Sequence, residues 1–276
     1  LFAMCLHDTV FNASFRAKKT AFFFDDVMVC LGTGIENDDA AHPTETILFQ
    51  GHLKHESQSV WVNGLERSTF PHTEKFSTGG WLLDIHGTGY WVPENQVINV
   101  SKKRQHSRNN TGSRTTEGDF ASAWIDHGCA PADASYVYAA VIGASPDRMR
   151  AIAAQQPFEV LQQYAQAHIV RLDRTIGYAL FEAQDKLDMG VLMGLDAPCL
   201  VMITEDKNRI VMSLCDPDLR LMEDPVPDAG HIRGKMWFNE SVMKTVNVRL
   251  KGAWQLAKSY DNVRLVTGAD GETALA

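Results

Sequence analysis

Acidic and amide side chains crowd a short stretch of this 276-residue chain. Residues 32–50 read GTGIENDDAAHPTETILFQ and place Glu36, Asn37, Asp38 and Asp39 between two apolar runs. Such oxygen ligands could hold calcium, but a calcium loop alternates its acids, turns at a glycine and ends in a bidentate acid. That spacing is missing from this stretch. The pattern therefore favours a structural turn in which Asp and Asn side chains bond to nearby backbone groups.

Histidines offer a second route to a metal site. The chain has ten of them, and His52 and His55 are spaced H-x-x-H, with His42 and Glu45 nearby. On a strand, residues three apart point to opposite faces, so this pair would chelate poorly, whereas in a loop the two rings could converge. Because closely spaced histidines in loops are common without a metal, we predict no metal site in this chain.

A run of basic residues is the candidate surface for binding a polyanion. Lys102, Lys103 and Arg104 are followed by His106 and Arg108. The net charge of −8 argues against nucleic acid binding over the whole surface, although a locally basic groove can still attract an anionic polymer. No nucleic acid partner is therefore expected.

Other familiar patterns of reactive residues are missing from the sequence. There is no G-x-S-x-G elbow, and GTGIE lacks the third glycine and the lysine of a phosphate-binding loop. The five cysteines are odd in number and widely spaced, so neither a zinc knuckle nor a disulfide framework is indicated. Cys5, Cys30, Cys199 and Cys215 lie in apolar runs, which predicts buried free thiols.

Most of the chain reads as short strands separated by turn signals. Apolar runs on either side of residues 25–26, 86–87 and 207–208 predict three hairpins, and Asn63-Gly64 predicts a tight turn. The polar segment 105–119 is interpreted as a solvated loop between strands rather than a binding arm. A helix is predicted after Ser145 as N-cap, with Pro146 as its first residue.

These elements predict an all-β protein with an antiparallel β-sandwich architecture. We expect a large central sandwich, incomplete at its N-terminus, followed by a smaller C-terminal sandwich. The helix and Pro157 mark the expected boundary between residues 1–156 and 157–276. No apolar run approaches the ~20 residues of a membrane helix, so no membrane partner is expected. The first residues, LFAMCLH, have neither an initiator Met nor a signal peptide, and we expect the true N-terminus to lie upstream.

Several stretches, taken in order, resemble one known family. They begin with FAMCLH, FRAKKTAFFFDDVMVCLGTGIENDDAAHPTETILFQ and WVNG, and they continue with TEGDFASAWIDHGCAPADASYVY, GYALFEA, APCLVMITEDKNRIVMSLCDPDL and KGAWQLA. This order is similar to the carboxyl-terminal part of bacterial chondroitin sulfate ABC lyases, in polysaccharide lyase family eight. The resemblance spans nearly the whole chain. Residues 32–50 and SAWIDHG through SYVY are its most specific parts.

The resemblance implies an architecture and a reaction. Family members have an amino-terminal β-domain, a helical toroid, a large antiparallel β-sandwich and a smaller terminal sandwich, and this chain resembles the last two. They cut glycosaminoglycans by β-elimination at a uronic acid, where a base takes the C5 proton while cationic and amide groups stabilise the uronate charge. Chondroitin and dermatan sulfate are the implied substrates, and hyaluronan is left open. The family's catalytic His, Tyr and Arg lie on the toroid and its Glu lies upstream of Leu1, so none is in this chain.

The same resemblance implies partners and a location. The expected partners are a glycosaminoglycan and the helical toroid of the same protein, and the expected location is secreted or periplasmic. No cofactor is expected, although a divalent cation such as calcium is compatible with the parent enzyme. The candidate substrate-binding residues are Trp61, Lys103, Arg104 and His106. The ring of Trp61 could stack on a sugar, but an outward strand residue under a neighbouring sheet is the favoured role.

The alternative interpretation belongs to another functional class. The chain could be a freestanding, non-catalytic carbohydrate-binding β-sandwich module. A strand cut at Leu1 favours the lyase, because a freestanding module would have its own capped terminus. The sequence upstream of Leu1 distinguishes the two, since it either encodes a helical toroid or does not.

Overall fold

The computed structural model describes residues 1–218, 244–267 and 272–275. Its first strands are β1 (Phe2–His7), β2 (Arg16–Phe24), β3 (Val27–Glu36), β4 (Pro43–His52), β5 (Val60–Val62), β6 (Leu65–Arg67), β7 (His72–Phe76), β8 (Gly80–Leu83), β9 (Gly89–Val92), β10 (Val97–Arg108), β11 (Thr115–Cys129) and β12 (Ala134–Val141). After helix α1 (Pro146–Ala154) come β13 (Phe158–Tyr164), β14 (Ala167–Leu172), β15 (Thr175–Leu180), β16 (Leu192–Leu195), β17 (Cys199–Asp206), β18 (Arg209–Cys215), β19 (Val248–Lys251), β20 (Leu265–Thr267) and β21 (Glu272–Leu275).

The chain divides into two compact units, and the first comprises Met4–Glu159. Its larger sheet has eight strands in the order β1-β2-β3-β12-β9-β8-β5-β6, and its smaller sheet has the order β4-β11-β10-β7. The inner faces of both sheets contribute to one core, in which Cys30 and Tyr90 of the larger sheet join Ile98 and Ala123 of the smaller one. The prediction of an antiparallel all-β sandwich is confirmed.

The predicted turns of this unit are confirmed, and each has a local cause. β2 pairs with β3 across residues 25–26, and β8 pairs with β9 across a turn that contains Gly87. The Asp84 carboxylate accepts the backbone N–H groups of His86 and Thr88 in that second turn. Asn63 and Gly64 join β5 to β6 with φ angles of 49° and 82°, the left-handed conformation that favours Asn-Gly in hairpins.

Helix α1 is also confirmed. The Ser145 hydroxyl accepts the N–H of Arg148, and Pro146 opens the helix. The helix buries Met149 and Ile152 against the larger sheet. No helix in the described residues has the length and apolar character needed to cross a membrane.

The interpretation of residues 105–119 as a loop is wrong. β10 and β11 form a long two-stranded ribbon that pairs Val97 with Asp126 at one end and Arg108 with Thr115 at the other. Only residues 109–114 form the turn. The end of the ribbon lies beyond the core, so both of its faces carry polar side chains. The alternation of apolar and polar residues that indicates a half-buried strand is therefore absent there.

The second unit comprises Leu1–Ala3 and Val160–Ala276. Its described strands form a five-stranded sheet, β13-β14-β15-β17-β18, and a four-stranded sheet, β16-β19-β21-β20. Ile169, Tyr178 and Val201 from the first sheet and Leu250 from the second share one core. The hairpin predicted at residues 207–208 is confirmed by the β17–β18 pairing, which sets Asp206 opposite Arg209.

Two of the four cysteines predicted to be buried are exposed. Cys30 and Cys199 are buried, whereas Cys5 and Cys215 are exposed, as is Cys129. β1 and β18 are edge strands of their sheets. An apolar run on an edge strand does not guarantee burial, because the strand has a neighbour on one side only.

Candidate functional site

The predicted site residues lie in two different sheets. Lys103, Arg104 and His106 belong to β10 of the smaller sheet, and Trp61 belongs to β5 of the larger one. Successive residues on β10 alternate between faces, so Lys103 projects opposite to Arg104 and His106. The structure therefore does not gather the four residues into one patch.

Acidic residues of β11 neutralise much of the basic run. The Arg104 guanidinium donates to both carboxylate oxygens of Asp119, at 2.9 and 3.2 Å, and lies 3.8 Å from Glu117. His106 lies 3.5 Å from the same Glu117. Lys102 is fully buried and donates from Nζ to the carbonyls of Arg67 and Ser68. Among these basic side chains, Lys103 is exposed on the opposite face of the ribbon.

Trp61 is half-buried and packs against a small apolar cluster. That cluster includes Trp81 and Leu83 of the larger sheet and Met149 and Ile152 of α1. The outward strand position is as expected, but the covering element is the helix rather than a neighbouring sheet. A packed position limits the part of the ring that a sugar could contact.

The acidic turn after β3 is organised by hydrogen bonds among its own residues. Asn37 donates from Nδ2 to Thr44 at 2.7 Å and accepts the N–H of Asp39 at 2.9 Å. Asp39 accepts the N–H groups of Ala41 and His42. These contacts are those of a structural Asx turn, as the sequence predicts.

The histidines at 52 and 55 are engaged separately. The His52 ring meets Phe120 edge-on at 5.3 Å, and His55 hydrogen-bonds the Ser57 hydroxyl at 3.0 Å. Within the described residues, no three His, Cys, Asp or Glu side chains are grouped so that they could hold a metal ion.

Another group of titratable side chains lies between the two sheets of the first unit. We call it the Tyr136 cluster, and its members are Lys19 (β2), Cys30 (β3), Tyr136 and Tyr138 (β12) from the larger sheet, and Thr46 (β4) and His127 (β11) from the smaller one. Tyr136 is 4% exposed and stacks on Tyr138 at 5.7 Å between ring centroids. The centroid of the His127 ring lies 6.2 Å from that of Tyr136.

Two residues that are distant in sequence fix the geometry of the cluster. Gly32 pairs with Tyr136 across β3 and β12, and its missing side chain leaves room for the phenol ring. Thr46 Oγ1 lies 2.9 Å from His127 Nε2, so the hydroxyl orients the imidazole. The cluster thus joins residues 32–50 to the segment from His127 to Tyr138.

Burial controls the protonation of these groups. It raises the pKa of Cys30 to about 11 and the pKa of Tyr136 and Tyr138 above the usual range of a phenol. Burial lowers the pKa of Lys19 and, together with the Lys19 charge, the pKa of His127. At neutral pH the cluster therefore holds one ammonium charge among neutral hydroxyl, thiol and imidazole groups.

This arrangement is poorly suited to act as a base. A phenol or thiol of raised pKa does not readily form the anion that proton abstraction requires. The cluster is better suited to hold a negatively charged group beside Lys19. Sequence reasoning did not select these residues, although the spacing of Tyr136 and Tyr138 places both on one strand face.

Comparison with known protein families gives a direct match to the first unit. Residues 1–153 match the model of the polysaccharide lyase family 8 super-sandwich domain. The chain is 35% identical over 276 residues to the chondroitin sulfate ABC exolyase of Bacteroides thetaiotaomicron, a match that covers 94% of this chain and 26% of the relative. It is 29% identical over 267 residues to the chondroitin sulfate ABC endolyase of Proteus vulgaris, with coverage of 94% and 25%. The chain therefore spans about a quarter of the length of these curated relatives.

Solved structures show the same fold. A Paenibacillus xanthan lyase superposes with a TM-score of 0.79 at 20% identity, over 99% of this chain and 26% of the other. A chondroitinase AC lyase superposes with a TM-score of 0.70 at 24% identity, over 90% of this chain and 34% of the other. At these identities the superpositions establish the architecture of the chain.

Proposed function

Because this chain belongs to polysaccharide lyase family 8, we propose that it is the carboxyl-terminal β-part of a glycosaminoglycan lyase. The parent enzyme would cleave chondroitin or dermatan sulfate, with hyaluronan as a further candidate, by β-elimination at a uronic acid. A base removes the C5 proton, the uronate charge is stabilised, and the 4-linked oxygen leaves. The expected secreted or periplasmic location is part of the same proposal.

One observation carries this proposal. The chondroitin sulfate ABC relatives align over 94–95% of this chain, yet the chain spans only 25–27% of their length. Such an alignment is expected when a chain corresponds to one portion of a larger enzyme. The relatives act on chondroitin sulfate, which favours that substrate class over xanthan.

The catalytic groups are proposed to lie outside this chain. The charge that develops on the uronate requires a correctly placed base and several cationic or amide donors. The predicted basic residues Arg104 and His106 are instead occupied with acidic partners. The β-part would then support the helical domain and contribute contacts to the polysaccharide, with Lys103 and Trp61 as the candidates that remain.

Activity measurements on two proteins test the proposal. The isolated 276-residue chain and the product of the gene extended upstream of Leu1 are each incubated with chondroitin sulfate, dermatan sulfate and hyaluronan. Ultraviolet absorbance of the unsaturated uronate reports elimination. We expect absorbance to rise with the extended protein and to stay flat with the isolated chain.

Two outcomes would contradict the proposal. Turnover by the isolated chain at the rate of an intact family enzyme would show that the catalytic groups are present in this chain. An extended gene that encodes no helical domain, and whose product releases no unsaturated uronate from any of the three polymers, would reject the lyase assignment.

A further inference from the structure

Lys19 and His127 approach the same tyrosine ring from two different sheets. The Lys19 ammonium nitrogen lies 5.9 Å from the centroid of the Tyr136 ring, and the His127 ring centroid lies 6.2 Å from it. Both Lys19 and His127 are half-buried, so each retains some contact with solvent. The two side chains that can carry positive charge in this cluster therefore lie near the same aromatic ring.

The Tyr136 cluster contains no carboxylate that would balance the positive charge of Lys19 or of a protonated His127. Within residues 1–218, 244–267 and 272–275, no carboxylate forms an ion pair with Lys19 or His127. The charge of Asp126, the chain neighbour of His127, raises the pKa of the His127 ring, but this carboxylate lies 3.6 Å from the Lys75 ammonium and accepts the Gly128 N–H at 2.9 Å. The near neighbours of Lys19 are an aromatic ring and a thiol.

A partly buried ammonium without a counter-ion is unfavourable. Desolvation penalises the charge, and a nearby imidazole that becomes protonated adds repulsion. An anion within reach of both Lys19 and His127 would offset both effects, and it would be held by charge-assisted hydrogen bonds. Thr46, which already contacts His127 Nε2, would keep the imidazole in a fixed orientation.

We propose that Lys19 and His127 form a binding site for an oxyanion, either a carboxylate or a sulfate group, at the Tyr136 cluster. Lys19 supplies an ammonium group, and a bound anion favours the protonated form of His127. The oxyanion site does not depend on the proposed function. Its assignment to a carboxylate or sulfate of a glycosaminoglycan rests on the proposed function.

Nuclear magnetic resonance of the imidazole groups tests the site on the whole chain. The His127 signals are assigned by their loss in His127→Gln. The chain is then titrated, at constant ionic strength in chloride, with inorganic sulfate, a sulfated chondroitin oligosaccharide and an unsulfated chondroitin oligosaccharide. We expect saturable shifts of the His127 signals with inorganic sulfate and with at least one oligosaccharide.

Substitutions separate the site from general attraction to cations. Lys19→Met is expected to weaken sulfate binding about tenfold or more, which corresponds to ~1.4 kcal/mol or more. Lys19→Arg should retain binding because it keeps the charge. Lys54→Met, which removes an exposed lysine elsewhere, is the matched control and should leave the affinity unchanged. Near-ultraviolet circular dichroism verifies that each variant is folded. If Lys19→Met does not fold, His127→Gln provides a second weakened variant, and its sulfate affinity is measured by titration calorimetry because it has no His127 signals.

The outcomes are distinct from those of the activity test. His127 signals that stay unmoved by all three probes, or equal losses of affinity in Lys19→Met and Lys54→Met, would overturn the oxyanion site. Binding of the sulfated but not the unsulfated oligosaccharide would support the site and identify the sulfate as the ligand. Binding of both would support it with the carboxylate as sufficient ligand. Binding of inorganic sulfate does not depend on lyase activity, so the sulfate titration tests the site even if the chain is not part of a lyase.

Discussion

Gly32 lies against the ring of Tyr136 so closely that a β-carbon at position 32 would be 2.2 Å from Cε1 of the tyrosine. The two residues are paired across β3 and β12. The position of the Tyr136 ring therefore leaves no room for a side chain at residue 32. This steric restriction can be recognised only from the pairing of β3 with β12.

Gly32→Ala is expected to destabilise the chain by overpacking. The Tyr136 ring is buried and must shift, which typically costs ~1–3 kcal/mol of unfolding free energy. Urea unfolding measures the loss. In a Tyr136→Leu background the added methyl group has more room, so the cost of Gly32→Ala should fall. Equal costs in both backgrounds would contradict the assigned contact.

The stability of the chain should decline in mild acid because of His127. Burial and Lys19 hold its folded-state pKa below the ordinary value of 6.5, against the opposing effect of Asp126. Thr46 and Tyr136 are uncharged neighbours of the ring. The neutral ring's contribution to stability is present above the unfolded-state pKa and is lost as pH falls through the folded-state pKa.

Urea unfolding at pH 7.5 and pH 5.0 measures this dependence. His127→Gln should lose less stability between the two pH values than the unmodified chain does. The exposed His106 provides the control, and His106→Gln should keep the pH dependence of the unmodified chain. An unaltered pH dependence in His127→Gln would show that other groups cause the acid sensitivity.

All five cysteines should be free thiols, in two classes of reactivity. Cys5, Cys129 and Cys215 are exposed and should react quickly with a thiol reagent in the native chain. Cys30 and Cys199 should react slowly, because they are buried and burial raises the pKa of each to about 11. Thiol titration in denaturant without reductant should detect all five cysteines, whereas detection of three or fewer would indicate a disulfide. Cys215→Ser should remove one thiol from the fast class only.

Asn37→Ala should destabilise the acidic turn. It removes the hydrogen bonds to Thr44 and to the Asp39 N–H, and a net loss of ~1 kcal/mol is expected for such bonds in a half-buried position. The exposed Asn110 is a matched control, and Asn110→Ala should change the unfolding free energy by less than ~0.5 kcal/mol. A change at Asn37 no larger than that of the control would contradict the structural interpretation.

Chelator should leave the melting temperature of the chain unchanged. A metal that binds only the folded state stabilises it by mass action, so its removal lowers the melting temperature. The Asp39 carboxylate is already used by two backbone N–H groups and by the His42 ring. A drop with chelator that calcium or zinc reverses, and that His42→Ala abolishes, would reassign Glu36, Asp38 and His42 as ligands.

Features with a local cause could be predicted from the amino-acid sequence. The hairpin turns at residues 25–26, 63–64 and 207–208, and the capped start of α1, follow from a few neighbouring residues whose backbone preferences act within one turn. The antiparallel all-β class followed from the strand pattern, and the family followed from the order of its motifs. These properties do not depend on which strands become neighbours.

Tertiary structure alone decided which side chains meet and which are exposed. Lys19 and His127 come together because β2 and β11 lie in facing sheets, and no local pattern encodes that contact. Cys215 is exposed because β18 ends its sheet, although its apolar run is that of a buried strand. The ribbon of β10 and β11 extends past the core, where no hydrophobic alternation marks it. In each case the deciding interaction joins residues far apart in sequence, so a hydrophobic pattern along one strand cannot determine it.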